Sequence, residues 1–197
     1  EKLFEPGDAI WVYSHFDRLI IGGVAPTNKP LRLETIDDLK SSYFLERREL
    51  GIINVGETGT VTVEGKPFEL NNKDALYIGM GVKDVSFTSG PGKKSLFYIN
   101  SAPAHVNHPT RKVTVKEADT AEMGSMETAN QRTIRKLLVS TVLPTCRLQM
   151  GLTELKTGSI WNTMPPHTHS RRMEAYFYFD LPDQHRVSHF MGEPQET

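Results

Sequence analysis

Apolar and polar residues alternate with a period of two along much of the first hundred positions, in short runs broken by turn-forming residues. Residues 10–16, Ile-Trp-Val-Tyr-Ser-His-Phe, predict a strand, and residues 18–21 predict a second apolar piece that ends at Gly22-Gly23. Further strands are predicted over 51–55, 60–63, 68–70, 75–78, 82–87 and 95–99. Glu64-Gly65 reads as a two-residue hairpin turn, because Gly supplies the positive φ that such turns demand. Residues 71–74 supply the next turn, and 24–40, with Pro26, Pro30 and Asp37-Asp38, read as a loop with a short helical turn. Short strands at this regular spacing predict an antiparallel barrel or sandwich.

The pattern changes after residue 100. Residues 101–110 are rich in Pro, Ala and His, and 112–124 are polar enough to read as a connector, so a boundary is expected near 110. That gives an N-terminal β-barrel over 1–110 and a second region over 111–197. Within the latter, 133–139 fits either helix or strand, whereas 146–155 alternates as a strand does. Thr157-Gly158 then turns the chain toward Pro165-Pro166. Strands, turns and strands recur in both halves, which predicts two similar barrels; the alternative is a single barrel with a long N-terminal extension.

The chemistry concentrates in Pro166-His167-Thr168-His169-Ser170-Arg171-Arg172-Met173-Glu174 and the aromatic run that follows. On a strand, His167 and His169 point to the same side. Ser-Arg-Arg-Met is long enough to turn the chain and bring Glu174 back beside them. Alternation then places Glu174, Tyr176 and Tyr178 on one face and Met173, Ala175, Phe177 and Phe179 on the other. Two imidazoles and a carboxylate suit Zn, or an Fe, Mn or Ni centre, with positions left for substrate. The competing reading is a pair of surface histidines beside a Pro-Pro bend with a solvated acid. Arg171 and Arg172 could grip a carboxylate or simply be solvated turn residues, and Tyr176 and Tyr178 could donate to substrate oxygens or simply pack. Arg47 and Arg48, in Glu46-Arg47-Arg48-Glu49, read as a surface or intersubunit charge cluster.

Composition narrows the partners. The 197 residues are 38% hydrophobic and 24% charged with a formal net charge of -1, which leaves no basic stripe for nucleic acid and no polybasic segment for a membrane. No apolar run reaches the length of a membrane span. The single cysteine, Cys146, forms no internal disulfide, and with no basic-then-apolar start this favours the cytoplasm.

His-x-His-x4-Glu resembles the first half of the metal motif of cupins, small double-stranded β-helix barrels. Residues 42–51, 74–79, 150–155 and 161–179 extend the likeness: the chain resembles the bacterial 5-keto-4-deoxyuronate isomerase family from Tyr13 to its C-terminal residues. The resemblance implies an all-β bicupin of two jelly-roll barrels, a homohexamer, and one zinc per subunit held by His167, His169 and Glu174 with a further histidine. That further histidine has no matching position here, so the C-terminal barrel is expected to be incomplete in this chain. His185 and His189 are the downstream candidates, whereas His15, His105 and His108 read as loop or core groups. The implied activity is that of an aldose-ketose isomerase converting 5-dehydro-4-deoxy-D-glucuronate to 3-deoxy-D-glycero-2,5-hexodiulosonate in pectin and uronate catabolism, with the general base unassigned. A cupin dioxygenase and a non-catalytic sugar-binding cupin are the alternatives that the half-motif also admits.

Overall fold

A strand forms where alternating side chains find a second surface to bury against, and the N-terminal strands do so as two facing antiparallel sheets. The structure is a computed structural model that describes residues 3–164, 166–193 and 195. Glu1, Lys2, Pro165, Pro194, Glu196 and Thr197 lie outside the described residues, and with them one half of the predicted Pro-Pro bend. Among the described residues there is no α-helix, only two 3-10 turns at Asp37–Leu39 and Val115–Glu117. The protein is nearly all β.

The larger sheet contains β1 (Ala9–Tyr13), β2 (Ile20–Val24), β9 (Phe97–Pro103), β4 (Arg48–Asn54), β7 (Ala75–Ile78) and β10 (Arg111–Val113), in that order. The smaller contains β3 (Leu31–Arg32), β8 (Val85–Ser89), β5 (Gly59–Val63) and β6 (Lys66–Leu70). Ile20, Leu50, Ile52, Leu76, Ile78 and Ile99 from the first sheet and Val61, Val63, Leu70 and Phe87 from the second form one buried cluster. Each such side chain contributes roughly 1.5 to 3 kcal/mol when fully buried. Phe87 and Phe97 meet in the cluster at 5.5 Å between ring centroids.

The β5–β6 hairpin closes as its sequence predicts. Glu64 and Gly65 adopt φ of 47° and 77°, the paired positive values of a tight hairpin turn. The Gly22-Gly23 pair does not end a strand as expected; it lies inside β2. A side chain there is excluded by close approach, since a Cβ on Gly22 would lie 2.3 Å from the Trp11 ring and one on Gly23 2.2 Å from the Leu3 carbonyl oxygen. The expected connector over 112–124 is likewise corrected: it holds most of β10 and all of β11 (Asp119–Met123). Both are polar, short sheet-edge strands, which lack the apolar alternation that reveals a central strand.

Residues 132–138, ambiguous in sequence, form β12 (Arg132–Leu138), and β13 (Met150–Leu155) follows, giving a three-stranded sheet in the order β11-β12-β13. The chain divides into two compact units, one of residues 1–120 with 135–152 and one of 121–134 with 153–197. Residues 111–120 and 135–152 thus stand with the N-terminal strands, beyond the boundary that composition places near 110.

β4 is buried along its whole length, because both of its faces are covered. Leu50 and Ile52 face the core, while a Cβ on Gly51 would come within 2.3 Å of Met150 Sδ, 2.8 Å of Leu138 Cδ1 and 2.9 Å of Leu148 Cδ2. Gly51→Ala is therefore expected to lower stability by about 1 to 3 kcal/mol through overpacking, read as a lower midpoint of urea unfolding.

Candidate functional site

Residues 173–179 carry the predicted alternation into the structure: Met173, Ala175, Phe177 and Phe179 are partly buried, whereas Glu174, Tyr176 and Tyr178 are exposed. Yet none of the described residues from 156 to 193 forms a strand. This corrects the placement of the histidines and Glu174 on neighbouring strands. Alternation decides which side chains share a face, but a strand also needs a hydrogen-bonded neighbour, and sequence pattern does not supply one.

The predicted donors are nevertheless gathered. His167 and His169 lie edge to face with ring centroids 4.9 Å apart. Glu174 Oε1 lies 3.4 Å from His169 Nε2. Among the described residues, however, no three His, Cys, Asp or Glu side chains close on one point. A cation of the chain's own stands among them instead: Arg172 Nη2 lies 2.6 Å from His169 Nε2 and 2.9 Å from Glu174 Oε1. Arginine has no acceptor, so the imidazole nitrogen accepts, and the 3.4 Å contact is the spacing of two acceptors sharing one donor rather than an ion pair of their own. In chemical type this donor set fits a divalent ion, with an imidazole lone pair and a carboxylate oxygen turned to one positive centre and a second imidazole alongside.

The aromatic face completes the surroundings. Tyr176 donates its hydroxyl to Glu174 Oε2 at 2.6 Å, and that bond to a carboxylate, with help from burial, pushes the phenol up to about 12. Tyr176 therefore stays protonated at neutral pH and acts as a donor. Tyrosinate absorbance, taken as the difference between the unsubstituted chain and Tyr176→Phe, should show a group ionising near 12 that returns toward the ordinary tyrosine value in Glu174→Gln. Burial also raises the Tyr178 phenol. The Tyr178 hydroxyl lies 2.5 Å from His189 Nδ1, and the His189 ring meets Tyr176 edge to face at 4.9 Å. His185 sits in a turn, its N–H donating to the Pro182 carbonyl. Arg171 is exposed in the turn before Arg172.

Two polar groupings elsewhere went unread in the sequence. Arg48 and Glu49 are not a surface cluster: they are 5% and 0% exposed. Arg48 donates to the Ser101 hydroxyl and to the carbonyls of Ser101 and Arg18, and burial lowers its guanidinium to about 10. Glu49 accepts the N–H groups of Cys146, Arg147 and Leu148 at 2.7, 2.6 and 2.7 Å and the Tyr77 hydroxyl at 2.7 Å. Tyr77 is raised by burial and by that bond. Cys146 Sγ also stands 3.1 Å from His105 Nδ1 and accepts the His105 N–H at 3.3 Å. These partners are 28 to 99 residues apart, so no local spacing announces them. His15 and His108 occupy loops, as expected.

An all-β scaffold carrying a histidine-carboxylate cluster is the class that fold and site define, and comparison with known proteins makes it particular. Residues 4–197 match the KduI/IolB family, and the chain belongs to that family. A Formosa agariphila protein named 4-deoxy-L-threo-5-hexosulose-uronate ketol-isomerase is 61% identical over 186 residues, covering 94% of this chain and 66% of the relative. A Bacteroides thetaiotaomicron protein named 4-deoxy-L-threo-5-hexosulose-uronate ketol-isomerase 1 is 55% identical over 201 residues, covering 100% of this chain and 71% of the relative. The chain thus spans about two thirds of the length of these relatives. Among solved structures, an IolB-like protein from Salmonella typhimurium LT2 matches with a TM-score of 0.51 at 14% identity, over 64% of this chain and 47% of that one, a likeness of fold alone. No helix among the described residues is long and apolar enough to cross a membrane.

Proposed function

We propose that this chain carries the site of a ketol-isomerase that converts 5-dehydro-4-deoxy-D-glucuronate to 3-deoxy-D-glycero-2,5-hexodiulosonate in uronate and pectin catabolism. The observation that carries the reading is the 61% identity to a protein of that name across 94% of the chain, which includes the histidine-carboxylate segment. The same reading takes the fold as a bicupin and the protein as a cytoplasmic homohexamer. One zinc per subunit would be held by His167, His169 and Glu174.

The reaction moves a carbonyl one carbon along the chain, and its difficulty is removing a proton next to a carbonyl. Zinc, when bound, supplies a Lewis acid that offsets negative charge developing on the substrate oxygens. His167 and His169 would serve as neutral nitrogen donors, and Glu174 as the oxygen donor. A carboxylate committed to a cation is a poor base, so the proton carrier is sought elsewhere. Tyr176, held protonated by its bond to Glu174, commits its single hydroxyl hydrogen to that carboxylate and keeps it oriented. Arg171, exposed beside the cluster, can meet the substrate carboxylate.

The test is to incubate the protein with the deoxy-keto uronate and follow the product by proton NMR, before and after treatment with a chelator. Isomerisation that a chelator abolishes and zinc restores supports the proposal. Oxygen uptake instead of isomerisation, or sugar binding with no product and no effect of chelator, overturns it.

A further inference from the structure

Arg172 differs from an ordinary surface arginine in what it holds together. Its Nη2 reaches His169 Nε2 at 2.6 Å and Glu174 Oε1 at 2.9 Å, and those two acceptors are themselves only 3.4 Å apart. Because guanidinium only donates, the lone pair of Nε2 faces it, which makes His169 the neutral tautomer with its proton on Nδ1. A lone pair on Nε2 and an ionised Glu174 are also what a divalent cation requires of these two residues. Guanidinium and metal therefore call on the same two atoms.

The guanidinium end is free to leave. The Arg172 side chain is 57% exposed, against 33% for Glu174, so withdrawing it uncovers no core. Tyr176 holds the other carboxylate oxygen, Oε2, from a different side and need not move when Oε1 changes partner.

Resting on the metal reading above, we infer that Arg172 is a resident counter-cation, which gathers His169 and Glu174 in the metal-free chain and is displaced when a divalent ion enters. Two consequences follow from one competition. The donors are kept close together and in binding-ready form without metal, and every metal ion taken up must first break two charge-assisted hydrogen bonds. Apparent metal affinity is thereby weakened. The displaced guanidinium is left beside the occupied site as a second positive charge.

Zinc affinity of the metal-stripped protein, measured by competition with a chromophoric chelator, tests this without recourse to activity. Arg172→Gln should bind zinc about three- to tenfold more tightly than the unsubstituted chain, the range expected for losing a partly exposed charge-assisted pair. Arg172→Lys should fall between them, since an ammonium lacks the planar fork and holds the two acceptors less well. Arg171→Gln should bind as the unsubstituted chain does, and raised ionic strength should narrow the gap for Arg172→Gln. Equal or weaker zinc binding by both Arg172 variants overturns the inference while leaving the metal reading intact. Absence of zinc binding by the unsubstituted chain overturns the metal reading and this inference together.

Discussion

Glu49→Gln is expected to destabilise the protein by about 3 kcal/mol, within the range for a buried group whose charged hydrogen-bond network is broken. The carboxylate is fully buried and accepts three successive backbone N–H groups and one hydroxyl. An amide of the same shape turns an NH2 toward one of those donors and removes the charge from the rest, leaving buried N–H groups unsatisfied. The segment 146–148 is thereby released from β4. Tyr77→Phe removes a single donor from the same carboxylate and should cost about 1 kcal/mol. Urea unfolding of both variants checks the pair. A loss for Glu49→Gln no larger than that for Tyr77→Phe would mean that the three backbone bonds contribute little.

His169→Ala and Glu174→Gln should behave in the opposite way. Each removes a donor from the proposed metal cluster, so uronate turnover and zinc affinity are expected to fall by at least about 100-fold, beyond the effect of losing an outer-shell partner. Both side chains lie on an exposed segment outside the hydrophobic core, so stability should stay within about 0.5 kcal/mol of the unsubstituted chain. Urea midpoints measured beside turnover separate the two kinds of residue. Unchanged turnover in His169→Ala would remove that histidine from the site. A collapse of stability in either variant would assign the residue a structural role.

What could be read from the sequence follows physical lines. The β5–β6 hairpin was legible because Glu64-Gly65 solves a local geometric problem, and local problems leave local marks. Period-two runs located most core strands for the same reason. Gly22-Gly23 misled because glycine marks both turns and close approaches, and only the Trp11 ring and the Leu3 carbonyl oxygen tell them apart. Strands β10 and β11 escaped because edge strands are polar. Glu49 and Arg48 looked like surface charges because their burial depends on partners up to 99 residues away. At the candidate site, the residue types and the alternation of 173–179 were legible, whereas the absence of a strand there and the position of Arg172 were not. Ladder partners and a guanidinium's reach are set by tertiary structure, not by spacing.

The cation's own surroundings are the most direct place to look. X-ray absorption at the zinc edge of the loaded protein should give a first shell of nitrogen and oxygen only, at about 2.0 to 2.1 Å, with the outer scattering of two or more imidazoles. His169→Ala should lose one imidazole from that pattern. A sulfur neighbour at about 2.3 Å, which among these residues would point to Cys146 beside His105, or a shell without imidazole, would contradict a metal site built on His167, His169 and Glu174.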